Sequence, residues 1–199
     1  RDDVPESNPA NENLEAVAVA CLRGKDIIKQ LLGFTHRENE NLKPVRIIPI
    51  LKESIKLLRA SIPSNIDIRL SISAQTDAVI ASPSQLHQII INLCNNAKHA
   101  MSKSGGVLKI GLDDYEIGKQ VSNHNLLPSP GKYVRISVSD TGCGIPHEIE
   151  ERIFDPYFTT KDVGEGSGIG LSVIHGIVRQ LEGDISIKSI PERGTAIHI

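Results

Sequence analysis

The stretch Pro83–Met101 constrains the chain more than any other, because its two faces make opposite demands. Ser82-Pro83 has the form of an N-cap followed by an N1 proline. Leu86, Ile89, Ile90, Leu93, Cys94 and Ala97 then recur at steps of three and four, the spacing of one side of a helix. That side must be buried. The other stripe, Gln85, Gln88, Asn92, Asn96 and His99, holds no carboxylate and no lysine, whereas a solvated helix face is normally charged. Asn costs a helix roughly 0.5 kcal/mol against Ala, so Asn92, Asn95 and Asn96 together weaken this one by about 1.5 kcal/mol. Two readings account for such a stripe. It hydrogen-bonds to a neighbouring segment, or it presents amide oxygens at i and i+4 to a hard cation such as Mg²⁺, which takes its remaining ligands from phosphates and water.

The chain around this helix alternates strand and helix. The pattern predicts strands at Val45–Ile47 and Ile66–Ile72, with a helix at Ile48–Ala60 between them. Further strands at Val107–Ile117 and Tyr133–Ser139 flank a Pro/Asn/Ser-rich loop at 118–131. A helix at Ile169–Leu181 and a closing hairpin at Ile185–Ser189 and Ala196–Ile199 complete the order. The expected fold class is α/β, a two-layer sandwich over residues 43–199. Lys43-Pro44 separates it from a first segment, 1–42, in which Asn8-Pro9 opens one long helix reaching to about Asn41. Leu14, Val17, Cys21, Ile28 and Leu31 form its stripe. About 30 residues make some 45 Å of helix, more than a small domain needs, which favours a bundle helix between molecules over one packed on its own domain.

With 199 residues there is room for one ordinary domain and such an appendage. The net charge of −2 provides no whole-chain field for nucleic acid or anionic lipid. No apolar run approaches the roughly 20 residues that span a bilayer, and residues 1–20 lack a signal peptide's pattern. Cys21, Cys94 and Cys143 form no C-x-x-C, which fits a reducing compartment and argues against a disulfide framework or a zinc site.

Three further clusters carry chemistry. Asp140-Thr141-Gly142-Cys143-Gly144-Ile145-Pro146 follows an apolar strand, so a carboxylate at the strand end can accept from an exocyclic amine while the glycines allow close approach. The same residues also suit an ordinary turn. Phe154, Tyr157 and Phe158 gather half of the six Phe and Tyr residues into five positions. They either pin a mobile segment or form a satellite core, and Thr159, Thr160 and Lys161 after them offer hydroxyls and a cation to phosphates. Gly164, Gly166, Gly168 and Gly170 alternate before the helix at Ile169–Leu181. Backbone N–H groups and a helix N-terminus together suit phosphate, although a purely structural glycine loop has the same composition. It is neither a Walker A loop nor a Rossmann turn, because no Lys-Ser/Thr follows and no strand precedes it.

Taken in order, Asn-Leu-Cys-Asn-Asn-Ala at 92–97, Asp-Thr-Gly-Cys-Gly-Ile at 140–145, Ile-Phe-Asp-Pro-Tyr-Phe-Thr-Thr-Lys at 153–161 and Gly-Glu-Gly-Ser-Gly-Ile-Gly-Leu-Ser at 164–172 closely resemble the N box, first glycine box, F box and second glycine box of bacterial sensor histidine kinases. Gly194-Thr195 is similar to the start of the last glycine box. The resemblance covers 43–199, and its F box is the most diagnostic part because gyrase-type and MutL-type ATPases of the same superfold lack it. It implies the Bergerat α/β sandwich, a mixed sheet backed by helices, with ATP and Mg²⁺ as ligands. Carried over by position, Asn96 would ligate Mg²⁺ with Asn92 beside it, and His99 would approach a phosphate. Asp140 would read the adenine amine, with Gly142, Gly144, Ile145 and Thr195 around the base. Thr159, Thr160, Lys161, Gly164, Gly166, Ser167, Gly168, Ile169, Gly170 and Leu171 would form the phosphate-side lid.

The implied enzyme is a protein histidine kinase that moves the ATP γ-phosphoryl group to a histidine for relay to an aspartate on a response-regulator receiver domain. Residues 14–42, with Gln30-Leu31-Leu32-Gly33-Phe34-Thr35-His36-Arg37, resemble the second helix of the family's dimerisation and phosphotransfer hairpin, which implies a homodimer. The family's acceptor histidine sits on the first hairpin helix, usually before Glu or Asp. His36 precedes Arg37, so the acceptor is expected outside this chain and the catalytic residue stays unassigned. Ser167, where Thr is common, and Lys98 inside the N box are smaller departures. The expected location is cytoplasmic, with a parent protein that the inner membrane can anchor. Two alternatives share the nucleotide site: a protein-serine kinase of the anti-sigma type, disfavoured by the long helix, and a nucleotide-binding regulatory module without transfer activity, disfavoured by the intact boxes.

Overall fold

The computed structural model describes Asn13, Leu14, Val17 and residues 42–118, 130–161 and 166–199. Contacts divide the chain into Arg1–Glu40 and Asn41–Ile199. In the first unit Asn13, Leu14 and Val17 are helical and exposed. The remainder of the expected helix to Asn41, most of the loop at 118–131, and Gly164 lie outside the described residues.

The second unit runs β1 (Lys43–Arg46), α1 (Ile47–Arg59), β2 (Ile66–Ile72), β3 (Ala78–Ala81), α2 (Pro83–Ala100), β4 (Gly106–Ile117) and β5 (Gly131–Ser139). A 3-10 helix (His147–Arg152), α3 (Gly170–Gln180), β6 (Ser186–Ile190) and β7 (Gly194–His198) follow. Five strands form one mixed sheet in the order β2-β4-β5-β7-β6, with β2 and β4 parallel and every other neighbour antiparallel. Parallel neighbours need a long crossover, and the chain between β2 and β4 supplies it with β3 and α2. β1 and β3 pair antiparallel in a separate two-stranded sheet.

Period-two alternation fixes which face of the sheet is covered. Leu108, Ile110 and Leu112 of β4 and Ile136 and Val138 of β5 are buried, whereas Lys109 and Asp113 alternate to the other face. α2 is central and touches α1, α3, β4, β5 and β7. Ile89, Ile90, Leu93 and Cys94 on its apolar side are at most 2% exposed, as the sequence pattern requires. The expected two-layer α/β sandwich, with a mixed sheet backed by helices, is the fold observed.

Several boundaries differ from the pattern. Ile47, expected to end the first strand, is the first residue of α1, because the N-terminus of that helix is capped from a distant part of the chain. Ile47 N–H donates to the Asp77 carbonyl at 2.8 Å and Ile48 N–H to Asp77 Oδ2 at 3.1 Å, while Arg46 Nε donates to Asp77 Oδ1 at 3.0 Å. β3 and the 3-10 helix are too short to show a periodicity and were not expected. α3 begins and ends one residue inside the span Ile169–Leu181, and the hairpin strands begin at Ser186 and Gly194. The start at Ser186 brings Ser189 opposite Thr195.

Asp77→Ala is expected to cost about 1–2 kcal/mol, the usual worth of a lost helix cap. Burial pushes the Asp77 carboxyl up, but the Ile48 N–H and the Arg46 guanidinium outweigh it and hold the group below its ordinary 3.8. A carboxyl lowered in the folded state contributes fully above its unfolded value and loses that contribution as pH falls through the folded one. In urea unfolding the gap between the parent and Asp77→Ala should therefore be widest near neutral pH and narrow below pH 3.8. A gap that does not change with pH would contradict this assignment.

Candidate functional site

α2 carries two contacts one helical turn apart, and the candidate site is built on them. At Ala100 the backbone carbonyl accepts from Cys143 N–H at 3.1 Å. A Cβ on Gly142 would lie 2.6 Å from both the carbon and the oxygen of that carbonyl, so only glycine fits there. At Asn96 the amide nitrogen lies 4.0 Å from where a Cβ of Gly170 would sit. The Asp140–Pro146 loop and the start of α3 thus meet the same helix at neighbouring turns.

The amide stripe has two fates along its length. Gln85 at the N-terminal end is buried, and its Nε2 donates to Gln180 Oε1 at 3.2 Å. α2 and α3 therefore run antiparallel, with Gln85 against the end of α3 and Asn96 against its beginning. For Gln85 the stripe hydrogen-bonds to a neighbouring segment, as the structural reading had it. Gln88, Asn92, Asn95 and Asn96 are half-buried, and His99 is exposed in the last turn.

Around Asp140 the loop is fixed from four directions. Asp140 Oδ1 accepts from Gly142 N–H at 2.8 Å, and Asp140 N–H donates to the Thr195 carbonyl at 2.9 Å. Thr141 Oγ1 accepts from Val107 N–H at 3.0 Å, tying the loop to β4. Cys143 carbonyl accepts from Glu192 N–H at 2.8 Å, and Ile145 N–H donates to Ser189 Oγ at 2.8 Å, tying it to the β6–β7 hairpin. A Cβ on Gly144 would collide with the Ile190 carbonyl. Burial pushes the Asp140 carboxyl up, opposed by the N–H groups of Gly142 and Thr195. A half-buried carboxylate that keeps spare lone pairs suits a donor such as an amine.

The aromatic segment braces the start of α3. Phe154 packs on His175 of α3 with ring centroids 5.4 Å apart, and the Arg152 guanidinium lies 4.5 Å over the Phe158 ring. Tyr157 adopts φ 68°, a left-handed conformation that costs a non-glycine residue about 1 kcal/mol. Its N–H donates to the Gly168 carbonyl at 3.0 Å, and Gly168, itself at φ 66°, leaves no room for a Cβ beside the Tyr157 carbonyl. Of the three aromatics, Tyr157 is 71% exposed, whereas Phe154 and Phe158 are half-buried. Thr159 Oγ1 accepts from Lys161 N–H at 3.2 Å, and both residues line the position of Gly166. Thr160 is exposed, Ile169 is buried, Leu171 is half-buried, and Ser167 Oγ accepts from Ile169 N–H at 3.4 Å.

The site residues named from sequence therefore fall into two groups bridged by α2. Asp140, Gly142, Gly144, Ile145 and Thr195 make one group. Thr159, Lys161, Gly166, Ser167, Gly168, Ile169 and Gly170 make the other. Sequence reasoning missed Ser189, although the hairpin spacing sets it across from Thr195, and Thr141, whose link to Val107 carries no local signal.

Comparison with known proteins decides what this arrangement belongs to. Residues 81–199 match the family described as histidine kinase-, DNA gyrase B-, and HSP90-like ATPase. The chain belongs to this ATPase family. It is 30% identical over 193 residues to the sensor kinase CckA of Brucella abortus (strain 2308), covering 97% of this chain and 20% of that protein. It is likewise 30% identical over 196 residues to the sensor histidine kinase ZraS of Salmonella typhimurium (strain LT2), covering 98% of this chain and 38% of that protein. The nucleotide-free catalytic domain of the histidine kinase ThkA superposes with a TM-score of 0.63 at 28% identity, covering 80% of this chain and 93% of that one. The chain spans about a fifth to two fifths of the length of the two curated relatives. Within the ATPase family, its ATP-binding domain is of the sensor histidine kinase kind.

Two glycines of this ATPase domain should respond in opposite ways to an added methyl group. Gly142→Ala drives a Cβ into the α2 carbonyl and is expected to cost about 2 kcal/mol in denaturant unfolding. Gly170→Ala at the first residue of α3 meets nothing closer than 4.0 Å and should leave stability unchanged or raise it by about 0.5 kcal/mol. Equal losses in the two variants would show that the contact between the loop and α2 is not rigid.

Proposed function

We propose that residues 43–199 are the catalytic ATP-binding domain of a sensor histidine kinase. In this reading they deliver the ATP γ-phosphoryl group to a histidine of a dimerisation and phosphotransfer hairpin, for relay to an aspartate on a response-regulator receiver domain. The observation that carries this reading is the placement of Asn96 against the N-terminus of α3 with the Asp140 loop one turn further along α2. A nucleotide laid along that turn meets a carboxylate acceptor at its base end, and amide groups and a helix N-terminus at its phosphate end.

Within this reading Asp140 accepts from the adenine amine, with Gly142, Gly144, Ile145 and Thr195 shaping the base pocket. Asn92, Asn96, His99, Thr159, Thr160, Lys161, Gly164, Gly166, Ser167, Gly168, Ile169, Gly170 and Leu171 surround the triphosphate. Among the described residues no group of three or more His, Cys, Asp or Glu could hold a metal ion. The donor set fits Mg²⁺ all the same, because Asn96 contributes a neutral amide oxygen and phosphates and waters complete an oxygen shell. Bound there, Mg²⁺ would neutralise phosphate charge.

Transfer breaks the bond between the γ-phosphorus and the β–γ bridging oxygen, forms a phosphorus–nitrogen bond to imidazole and releases ADP. Little covalent help is needed, so the task of this chain is to position and to neutralise charge. The acceptor is proposed to lie on a hairpin helix outside 43–199, residues 1–42 to form the hairpin's second helix, and the intact protein to dimerise through it. Among the described residues no helix is long and apolar enough to cross a membrane. A cytoplasmic location, with any inner-membrane anchor elsewhere in the parent protein, is the matching proposal.

Calorimetry tests the site. Asn96→Ala should lose the Mg²⁺ dependence of ATP binding, and Asp140→Ala should lose at least tenfold of the preference for ATP over GTP. Because burial raises the Asp140 carboxyl above 3.8 and the accepting form is the carboxylate, ATP affinity of the parent should fall as pH is lowered toward that raised value. Parent-like binding by both variants would overturn the site assignment. Transfer is tested with radiolabelled ATP and the complete hairpin of the parent protein. Acid-labile label should appear on the hairpin, and label on residues 43–199 would contradict the proposal.

A further inference from the structure

The sheet has a second face, turned away from the helices, and strand register fixes what stands on it. Arg69 lies opposite Lys109, Lys109 opposite Ser139, Ser139 opposite Ala196 and Ala196 opposite Lys188, so these residues form one row across the five strands. Two positions along, Ser71, Gly111, Ser137, His198 and Ser186 form a second row. Directly opposite residues share a face, and the alternation that buries Leu108, Ile110, Val138 and Ile197 assigns both rows to the uncovered side. Between the cations of the first row the side chains are small, and Ser137 Oγ takes up the space beside Gly111 where a Cβ would sit. A cleft of about 550 Å³ opens there, lined among others by Arg69, Lys109, Ser71, Gly111, Ser137 and Ser139.

Neither row holds a carboxylate. The acids in the rows on either side are engaged, Asp67 Oδ2 accepting from Arg69 Nε at 2.7 Å and Asp113 Oδ2 from Arg135 at 2.6 Å. Among the described residues, Lys109 and Lys188 make no ion pair. Burial holds the His198 imidazole below its ordinary 6.5, and Arg135 and Lys188 lower it further against Asp113, which is how an imidazole behaves in a positive field. We propose that this open face docks an extended acidic segment of a partner protein, laid across the strands with carboxylates four residues apart on Lys109 and Lys188. Three strand spacings of about 4.8 Å separate the two lysines, or about 14 Å. Four residues of extended chain cover about 13 Å, and residues i and i+4 point the same way. The serines between the cations offer hydroxyls to the segment's polar groups, and the small floor lets its backbone lie close to the sheet. With ion pairs exposed at both ends, the binding is weak and falls with salt. This inference lies outside the nucleotide reading and does not depend on it.

The test is fluorescence anisotropy on the full chain at low salt, with a labelled peptide of alternating glutamate and serine as the probe. Binding should saturate, and the same peptide with glutamine in place of glutamate should not bind. Lys109→Ala and Lys188→Ala should each weaken binding about threefold. Together they should weaken it about tenfold, because sites this far apart add. Lys52→Ala on α1 makes the same change of net charge away from this face and should bind like the parent. Both lysine variants lie outside the proposed nucleotide site, so their ATP binding by calorimetry should match the parent and serves as the check that they are folded. Absence of saturable binding to the parent would overturn the inference, as would an equal loss in Lys52→Ala, which would mean attraction to net charge alone. An oligothymidylate that binds this face more tightly than the glutamate peptide would overturn the assignment to an acidic protein segment. None of these outcomes bears on the nucleotide site.

Discussion

Everything in the candidate site depends on the last two turns of α2. The apolar side of that helix is clamped between the sheet and its neighbours α1 and α3, with Leu93 and Cys94 almost wholly removed from water. The backbone at Asn96 and Ala100 is therefore held by a core of close-packed side chains. Burying Ile89, Ile90 and Leu93 contributes roughly 2 kcal/mol per side chain, which exceeds the cost of three helix-weakening asparagines. The helix tolerates a poor polar face because its other face is so well buried. The polar face thus presents the Asp140 loop and the start of α3 from one rigid support.

The two groups of residues meeting α2 differ in how they are held. The Asp140 loop is bonded to α2, to β4 and to the β6–β7 hairpin, so it cannot shift without breaking several backbone hydrogen bonds. Among the described residues, the start of α3 is held instead by the aromatic segment, through a backbone hydrogen bond from Tyr157, the fit of Gly168 against it and the packing of Phe154 on His175. Tyr157 retains a strained left-handed conformation to make that bond. This contrast suits a nucleotide site in which the base end selects and the phosphate end admits and releases.

How much of this was legible in the sequence depends on the range of the interaction. α2, β2, β4 and the apolar half of each were readable because periodicity over 7–18 residues records burial directly. The glycines at 142 and 144 were readable as close approaches, although which backbone each approaches was not. Ile47 was misplaced because its cap is Asp77, thirty positions away, and no local pattern reports a partner at that distance. Gln85 looked like part of a ligand face and instead bonds Gln180, since an amide suits either use and only the antiparallel packing of α2 and α3 decides between them. Ser189 and Thr195 face each other through the hairpin register, which strands read at Ile185–Ser189 and Ala196–Ile199 leave one residue short of Thr195.

In the proposed function, α2, the Asp140 loop and the N-terminus of α3 enclose one nucleotide cleft. A crystal structure of the chain with Mg²⁺ and a non-hydrolysable ATP analogue tests it most directly. The adenine amine should lie within hydrogen-bond distance of the Asp140 carboxylate, and the triphosphate between Asn96 and the backbone at Gly168–Gly170. An analogue found elsewhere, for instance against Arg69 and Lys109 on the opposite face of the sheet, with the cleft unchanged, would contradict it.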